Sequence, residues 1–282
     1  MEFITFGPVH LNVTDLERSI YFYREIVGMQ LRKSGIPTEV GTANRTLLVL
    51  YPDAKTHVLR GHSGLYHLAI HIPTERELAE LLVRMASRRW KIAPTDHIIA
   101  KSLYAQDPDG INIEFAVELP SRVAEYKFTD NEFKVIDDRG NIRSPTEPLD
   151  VEELFSHLVD KNAGHPLSHG AFIGHMNLHM PVLKPAFDYY KNLGFTGHFL
   201  FPNMGWGDLG AGGLVDHRIA VNTWAGLDVP KAPPGTAGLR YFTLNYDSIE
   251  RFEEAKSKVA GDKADGGYLV EDPGGNQILL ST

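Results

Sequence analysis

Three side chains of this sequence have the types to hold one metal ion between them: His67, Glu114 and His175. Two imidazoles and one carboxylate suit non-haem Fe(II) and leave coordination positions open for a substrate and dioxygen. The chain contains no cysteine, so disulfides and thiolate sites are excluded and a strong metal site must use nitrogen and oxygen donors. Glu114 stands in the apolar run "NIEFAV", where a buried carboxylate needs a partner or a metal. The structural alternative for His67 and His175 is a pair of hydrogen-bonded core histidines on half-buried strands, and residue type alone leaves both readings open.

The elements that would position these groups recur four times. Each copy reads as a short apolar strand, a helix cap, an amphipathic helix and then further strands. The copies are "GPVHLNVTDLERSIYFYREIVGM", "LYHLAIHIPTERELAELLVRM", "IGHMNLHMPVLKPAFDYYKNLGF" and "LRYFTLNYDSIERFEEAKSKV". Thr14 with Glu17, and Thr74 with Glu77, have capping-box spacing, and Gly28 reads as a helix stop. Runs such as "TLLVLY", "NIEFAV", "HRIAVNTW" and "NQILL" follow as strands. The expected fold is therefore α+β, with four βαβββ modules making two paired-module domains. The modules divide along the chain into 1–118 (modules 1 and 2), a connecting segment at 119–168 and 169–282 (modules 3 and 4). Within the connection, a hairpin around Asp138-Arg139-Gly140 and a helix from Asp150 are expected.

The copies can be registered on the last apolar strand residue before each helix: Val13, Ile72, Met180 and Tyr246. Five positions earlier stand Pro8, His67, His175 and Tyr241, so only the two middle copies carry a ligand there. In the closing strands Glu114 aligns with Leu279, and Asn222 stands at the approximately matching place of the third copy. The "DPDG" turn at Asp107 reads as structural, with an Asx bond fixing the loop. His10, His71 and His179 read as wall or surface residues.

Bulk properties narrow the partners. A formal charge of −8 argues against a nucleic-acid partner, whose binding is built on clustered Lys and Arg. No apolar run approaches the roughly 20 residues needed to span a bilayer, and the N-terminal residues lack a secretory signal pattern, so a soluble cytoplasmic protein is expected. A homo-oligomer is compatible with this picture.

The segment Thr95, His97, Leu103, Tyr104, Asp107, Pro108, Gly110 and Glu114 matches the pattern T-x-H-x5-L-Y-x2-D-P-x-G-x3-E. With the module pattern, it resembles the vicinal oxygen chelate superfamily (the glyoxalase, bleomycin resistance and extradiol dioxygenase group). Within it, the chain looks like the bacterial catechol 2,3-dioxygenases over nearly its whole length. The resemblance implies that Glu114 and His67 are metal ligands, that Tyr104 lies beside the bound substrate and that His97 is an acid/base group. An imidazole, with an ordinary pKa near about 6.5, suits that role at neutral pH. The signature lies in the second copy, whereas the best-known extradiol enzymes carry it in the last. The second histidine ligand is then His175, if copies two and three face each other, or His10. His175 is favoured because its register matches that of His67, and copies one and four would then form a metal-free half.

The implied reaction is Fe(II)- and O2-dependent meta-cleavage of a catechol to a muconic semialdehyde, with Mn(II) as the alternative ion. The substrate is a small aromatic diol, with His217, Asn222 and Trp224 lining its pocket. Two other functions fit the superfamily. One is a glyoxalase-like metal-dependent isomerase or lyase, which wants a second carboxylate ligand. The other is a non-catalytic small-molecule binding protein.

Overall fold

A computed structural model describes residues 2–129, 132–213 and 217–282. Asp130 and Asn131 of the connecting segment lie outside the described residues. The architecture is α+β, as the repeat implies, and the modules combine into two large sheets. Among the described residues, the eight-stranded sheet runs 261–264, 267–271, 277–281, 238–246, 4–12, 46–51, 38–41 and 30–33. The nine-stranded sheet runs 147–148, 93–96, 100–106, 112–118, 64–71, 172–179, 219–222, 206–210 and 196–201.

The sheets do not follow the linear division into 1–118 and 169–282. Module 1 pairs with module 4 through antiparallel strands Ile4–Asn12 and Gly238–Tyr246, and module 2 pairs with module 3 through Gly64–His71 and Phe172–His179. Each first strand has an edge that another strand must cover, and the module pattern does not say which copy covers it. The expected connection also takes part in this arrangement, because Glu147–Pro148 adds a strand beside Ala93–Asp96 at the edge of the nine-stranded sheet.

Strand alternation separates core from site. Leu68 and Ile70, Met176 and Leu178, Val9 and Leu11, and Phe242 and Leu244 are buried in one continuous core. The same core takes Phe22, Tyr23 and Ile26 from the first helical segment, Leu78 and Met85 from the second, and Phe187 and Tyr190 from the third. The first strands of the two sheets touch across it. The intervening residues of the middle copies, His67, Ala69 and His71 and then His175, Asn177 and His179, point the other way.

The helix starts are set by local chemistry. Thr74 caps Glu75–Ser87 by accepting from the Glu77 amide, and its hydroxyl donates to the Glu77 carboxylate. The first helix, Leu16–Tyr21, is capped by Asp15 and not by Thr14. Thr14 is held elsewhere, since its amide and hydroxyl both donate to Asp109 in the "DPDG" turn. That helix continues as a wider turn, Phe22–Val27, and Gly28 closes it at φ +91°.

The turn itself is an Asx motif. Asp107 Oδ1 accepts from the amides of Asp109 and Ile111, while Oδ2 accepts from Tyr23 OH at 3.2 Å. Module 4 repeats this with Asp272, the amides of Gly274 and Asn276, and Tyr190 OH at 2.7 Å. Each buried phenol therefore ties a helix of one sheet to a turn of the other.

The connecting segment forms a small three-stranded sheet, with Val123–Phe128, Phe133–Asp137 and Ile142–Arg143, and the helix Val151–Phe155 capped by Asp150. Tyr126, Phe128 and Phe133 of this sheet pack on Phe199, Phe201 and Trp206 of module 3. Lys101, nearly buried, binds Glu75 and Glu153 and joins the new helix to the second one. No helix among the described residues is long and apolar enough to cross a membrane.

Candidate metal centre

The two central strands of the nine-stranded sheet place His67 opposite Asn177 and His175 opposite Ala69. The parallel neighbour of Ala69 on the closing strand is Glu114. Three inward-facing side chains from two modules therefore converge. His67 Nε2 lies 3.1 Å from His175 Nε2, and Glu114 Oε2 lies 3.1 Å from His67 Nε2 and 3.2 Å from His175 Nε2. All three residues are buried.

This triangle fits a metal. Three donors that share one face of an octahedron and stand 3.1–3.2 Å apart put an ion about 2.2 Å from each, within the usual range for nitrogen and carboxylate ligands to a divalent ion. The protonation states agree. Burial, then His217, hold His175 well below the usual imidazole range, so its lone pair is free. Glu114, between the nitrogens of His175 and His67, lies well below the ordinary carboxylate range although burial opposes its ionisation. Ser102 donates to the other oxygen, Oε1, at 2.6 Å and fixes the rotation of the carboxylate.

His10 takes no part. It lies in the other sheet, stacked on Tyr241 at 3.8 Å between ring centres, with Nδ1 3.1 Å from Tyr51 OH. Of the two histidines considered for the second position, the structure brings His175, and not His10, beside His67 and Glu114.

The signature residues His97 and Tyr104 meet beside the triangle. His97 Nε2 is 3.0 Å from Tyr104 OH, and the ring of Tyr104 stands 5.6 Å from that of His67. Burial and the nearby Glu114 push the Tyr104 phenol well above its ordinary pKa, so it stays protonated and can donate. His97 Nδ1 is 3.0 Å from the carbonyl oxygen of Pro145. A carbonyl only accepts, so Nδ1 carries the proton and Nε2 is left bare toward Tyr104. Pro145 belongs to the connecting segment, which thus supports the site.

On the opposite flank, His217 lies 4.2 Å from His175 between ring centres, and its Nδ1 is 2.7 Å from Asp208 Oδ1. Burial would depress His217, but the Asp208 carboxylate outweighs it and raises the pKa. Asn222 is fully buried and engaged with the protein: its oxygen accepts from the Trp224 amide and lies 2.7 Å from His179 Nδ1, and its amide donates to Asn177. It is also displaced by two residues from the position equivalent to Glu114, which is Ala220. Trp224 is half exposed and meets Tyr66 edge-on at the rim. Tyr66, His179 and Trp224 border a cleft of about 1000 Å³ whose other walls include Asn12, Gly238 and Leu239 of the eight-stranded sheet.

His71 was read as a wall or surface residue and is neither. It is buried, with Nε2 3.0 Å from His175 Nδ1. Its position four residues after His67 was the available signal, because even spacing on a strand keeps both on one face.

Residues 5–115 match the model of the Glyoxalase/Bleomycin resistance protein/Dioxygenase superfamily. A Bacillus subtilis (strain 168) protein named catechol-2,3-dioxygenase is 31% identical over 277 residues, covering 95% of this chain and 93% of its own length. Among solved structures, a putative dioxygenase from Bacillus subtilis subsp. subtilis str. 168 superposes with a TM-score of 0.60 at 11% identity, covering 99% of this chain and 85% of that one. Glyoxalase I from Zea mays does so with a TM-score of 0.54 at 17% identity, covering 98% and 92%. At these identities the two structures speak for the fold alone. The relative that is similar over almost the full length, together with the paired βαβββ modules, shows that the chain belongs to the glyoxalase/bleomycin resistance/dioxygenase superfamily.

Proposed function

We propose that this chain is an extradiol dioxygenase that opens a catechol ring beside its diol and adds both atoms of O2, yielding a muconic semialdehyde. In this reading His67 Nε2, His175 Nε2 and Glu114 Oε2 hold Fe(II), with Mn(II) as the alternative ion. The triangle of donors 3.1–3.2 Å apart carries the proposal. When bound, the iron supplies a Lewis acid that favours the ionised diol and a route for electrons between ring and oxygen.

The chain's own residues supply the rest. Tyr104, kept protonated, donates its one hydrogen to His97 Nε2, which Pro145 holds bare, so its oxygen can take a proton from a substrate hydroxyl as its own passes to that nitrogen. His217, with Nδ1 committed to Asp208, offers Nε2 on the other flank as a second group able to hold and return a proton at neutral pH. The buried setting excludes water and strengthens each of these interactions. The like name of the Bacillus subtilis relative supports the same substrate class.

The closing-strand positions equivalent to Glu114 are Val49, Ala220 and Leu279. None is a carboxylate, which weighs against a glyoxalase-like site with a fourth protein ligand and for a site with adjacent open positions. Anaerobic purification with metal analysis, followed by oxygen uptake with catechol, tests the proposal. Stoichiometric uptake with a yellow product is expected; an iron-loaded protein that consumes no oxygen with any catechol tried would overturn it.

A further inference from the structure

His71 and Gly174 do nothing in the chemistry proposed above, yet both are shaped around one of its ligands. His71 Nε2 is 3.0 Å from His175 Nδ1, and His71 Nδ1, which makes no formal hydrogen bond, has Glu118 Oε1 3.3 Å away. Glu118 accepts from Arg218 Nη1 at 2.7 Å. The same guanidinium, 4% exposed, also donates to Glu2 and to the carbonyl oxygen of His217. A carboxylate held this way by a guanidinium presents an acceptor oxygen to His71.

The direction of every proton then follows. Facing a carboxylate, His71 Nδ1 carries the hydrogen, so His71 Nε2 is bare and accepts from His175 Nδ1. His175 Nε2 is left without a proton, pointing at His67 and Glu114. The ring of His71 can lie there because of the residue across from it. Gly174 is the extra residue between the pairs Ile173↔Ile70 and His175↔Ala69. A Cβ at that position would stand 2.0 Å from His71 Cδ2 and 2.3 Å from its Nε2, closer than any side chain tolerates.

We infer that His71 is a positioning residue, set by Glu118 and Arg218, which fixes the tautomer and orientation of His175, and that Gly174 is glycine to admit its ring. This rests on reading His67, Glu114 and His175 as a metal site. Partners of this kind behind a ligating imidazole change metal affinity by about 10–100-fold when removed.

The test is anaerobic Co(II) titration against a competing chelator, with the visible spectrum of bound Co(II) recorded alongside. His71→Leu and Gly174→Ala are each expected to weaken Co(II) binding by about 10–100-fold and to shift the spectrum. His71→Gln, whose side-chain oxygen can accept from His175 Nδ1, is expected to recover most of the affinity. Should His71→Leu fail to fold, the contrast between His71→Gln and Gly174→Ala decides in the same way. Wild-type affinity and spectrum in His71→Leu, or in Gly174→Ala, would overturn the inference, as would His71→Gln binding no better than Gly174→Ala. A wild-type protein that binds no Co(II) would remove both this inference and the metal reading. Normal Co(II) binding without oxygen uptake on catechol would remove the proposed reaction and leave this inference standing.

Discussion

Ala69 faces His175 across the central strand pair of the nine-stranded sheet; at the equivalent place of the eight-stranded sheet His10 faces Tyr241. The backbone frame is the same, with antiparallel first strands and parallel closing strands beside them. In one sheet the small Ala69 leaves room for imidazoles and a carboxylate to converge. In the other an imidazole stacks on a phenol, Tyr51 closes the group with its hydroxyl, and the Arg240 guanidinium lies 4.3 Å over the Tyr51 ring. Burial, then Arg240, lower the His10 pKa to about 4, so this imidazole is neutral and serves packing. The comparison shows that the strand register supplies a possible site in each half, while the volume of the side chain two residues before the strand end decides whether it is open or filled.

The largest expected effect tests the contrast in its charged member. Glu114→Gln removes the carboxylate and should lower metal occupancy and turnover by more than about 100-fold, whereas Leu279→Gln at the equivalent place should change neither. Metal content after anaerobic loading, with oxygen uptake, reads both; full activity in Glu114→Gln would break the comparison at its root. Next, Ala69→His copies the filled half into the open one. Metal binding is expected to fall by at least about 10-fold with an unchanged circular dichroism spectrum. The reverse change, His10→Ala, should leave turnover intact and cost about 1 kcal/mol in urea unfolding.

A third comparison uses the two phenol–carboxylate ties. Tyr23→Phe leaves Asp107 Oδ2 without its donor and should destabilise by about 1–3 kcal/mol, whereas after Tyr190→Phe Asp272 Oδ2 still accepts from the Asn276 side-chain amide and the loss should be about 0.5–1.5 kcal/mol. A larger loss at Tyr23 is expected in urea unfolding; a larger loss at Tyr190 would break this ranking of the two turns.

A last test lies in pH dependence. Burial, opposed by the turn amides and Tyr23, raises the Asp107 pKa to about 6, above the roughly 3.9 of an unfolded aspartate. Between those values the folded chain binds more protons, so its stability falls as pH rises from about 4 to about 6 and is level above. Asp107→Asn should remove that fall, seen as the difference between wild-type and variant unfolding curves across the window.

Much of this was legible from residue order. The repeat exposed the βαβββ units, and the shared register of His67 and His175 selected them over the chain's other histidines. The Asx bond at Asp107 and the Thr74 cap followed from local preferences. Where the reading departed from the structure, a distant partner was responsible. Thr14 has capping spacing, yet Asp109 from another module holds it. Asn222 sits near the expected carboxylate position, but its hydrogen bonds hold His179, Asn177 and Trp224 in place. His71 offered only its even spacing, since its partner on the neighbouring strand depends on which module pairs there.

By itself the sequence determined the modules, their helix caps and turns, and the side-chain types at each inward position, because these depend on periodicity and short-range hydrogen bonds. Only the tertiary structure decided which modules share a sheet. Pairing two with three brings His67, Glu114 and His175 together, and pairing one with four seals the other half with His10 and Tyr241. Such pairing is a choice between similar strand edges far apart in the chain, and it is set by the packing of whole faces against one another.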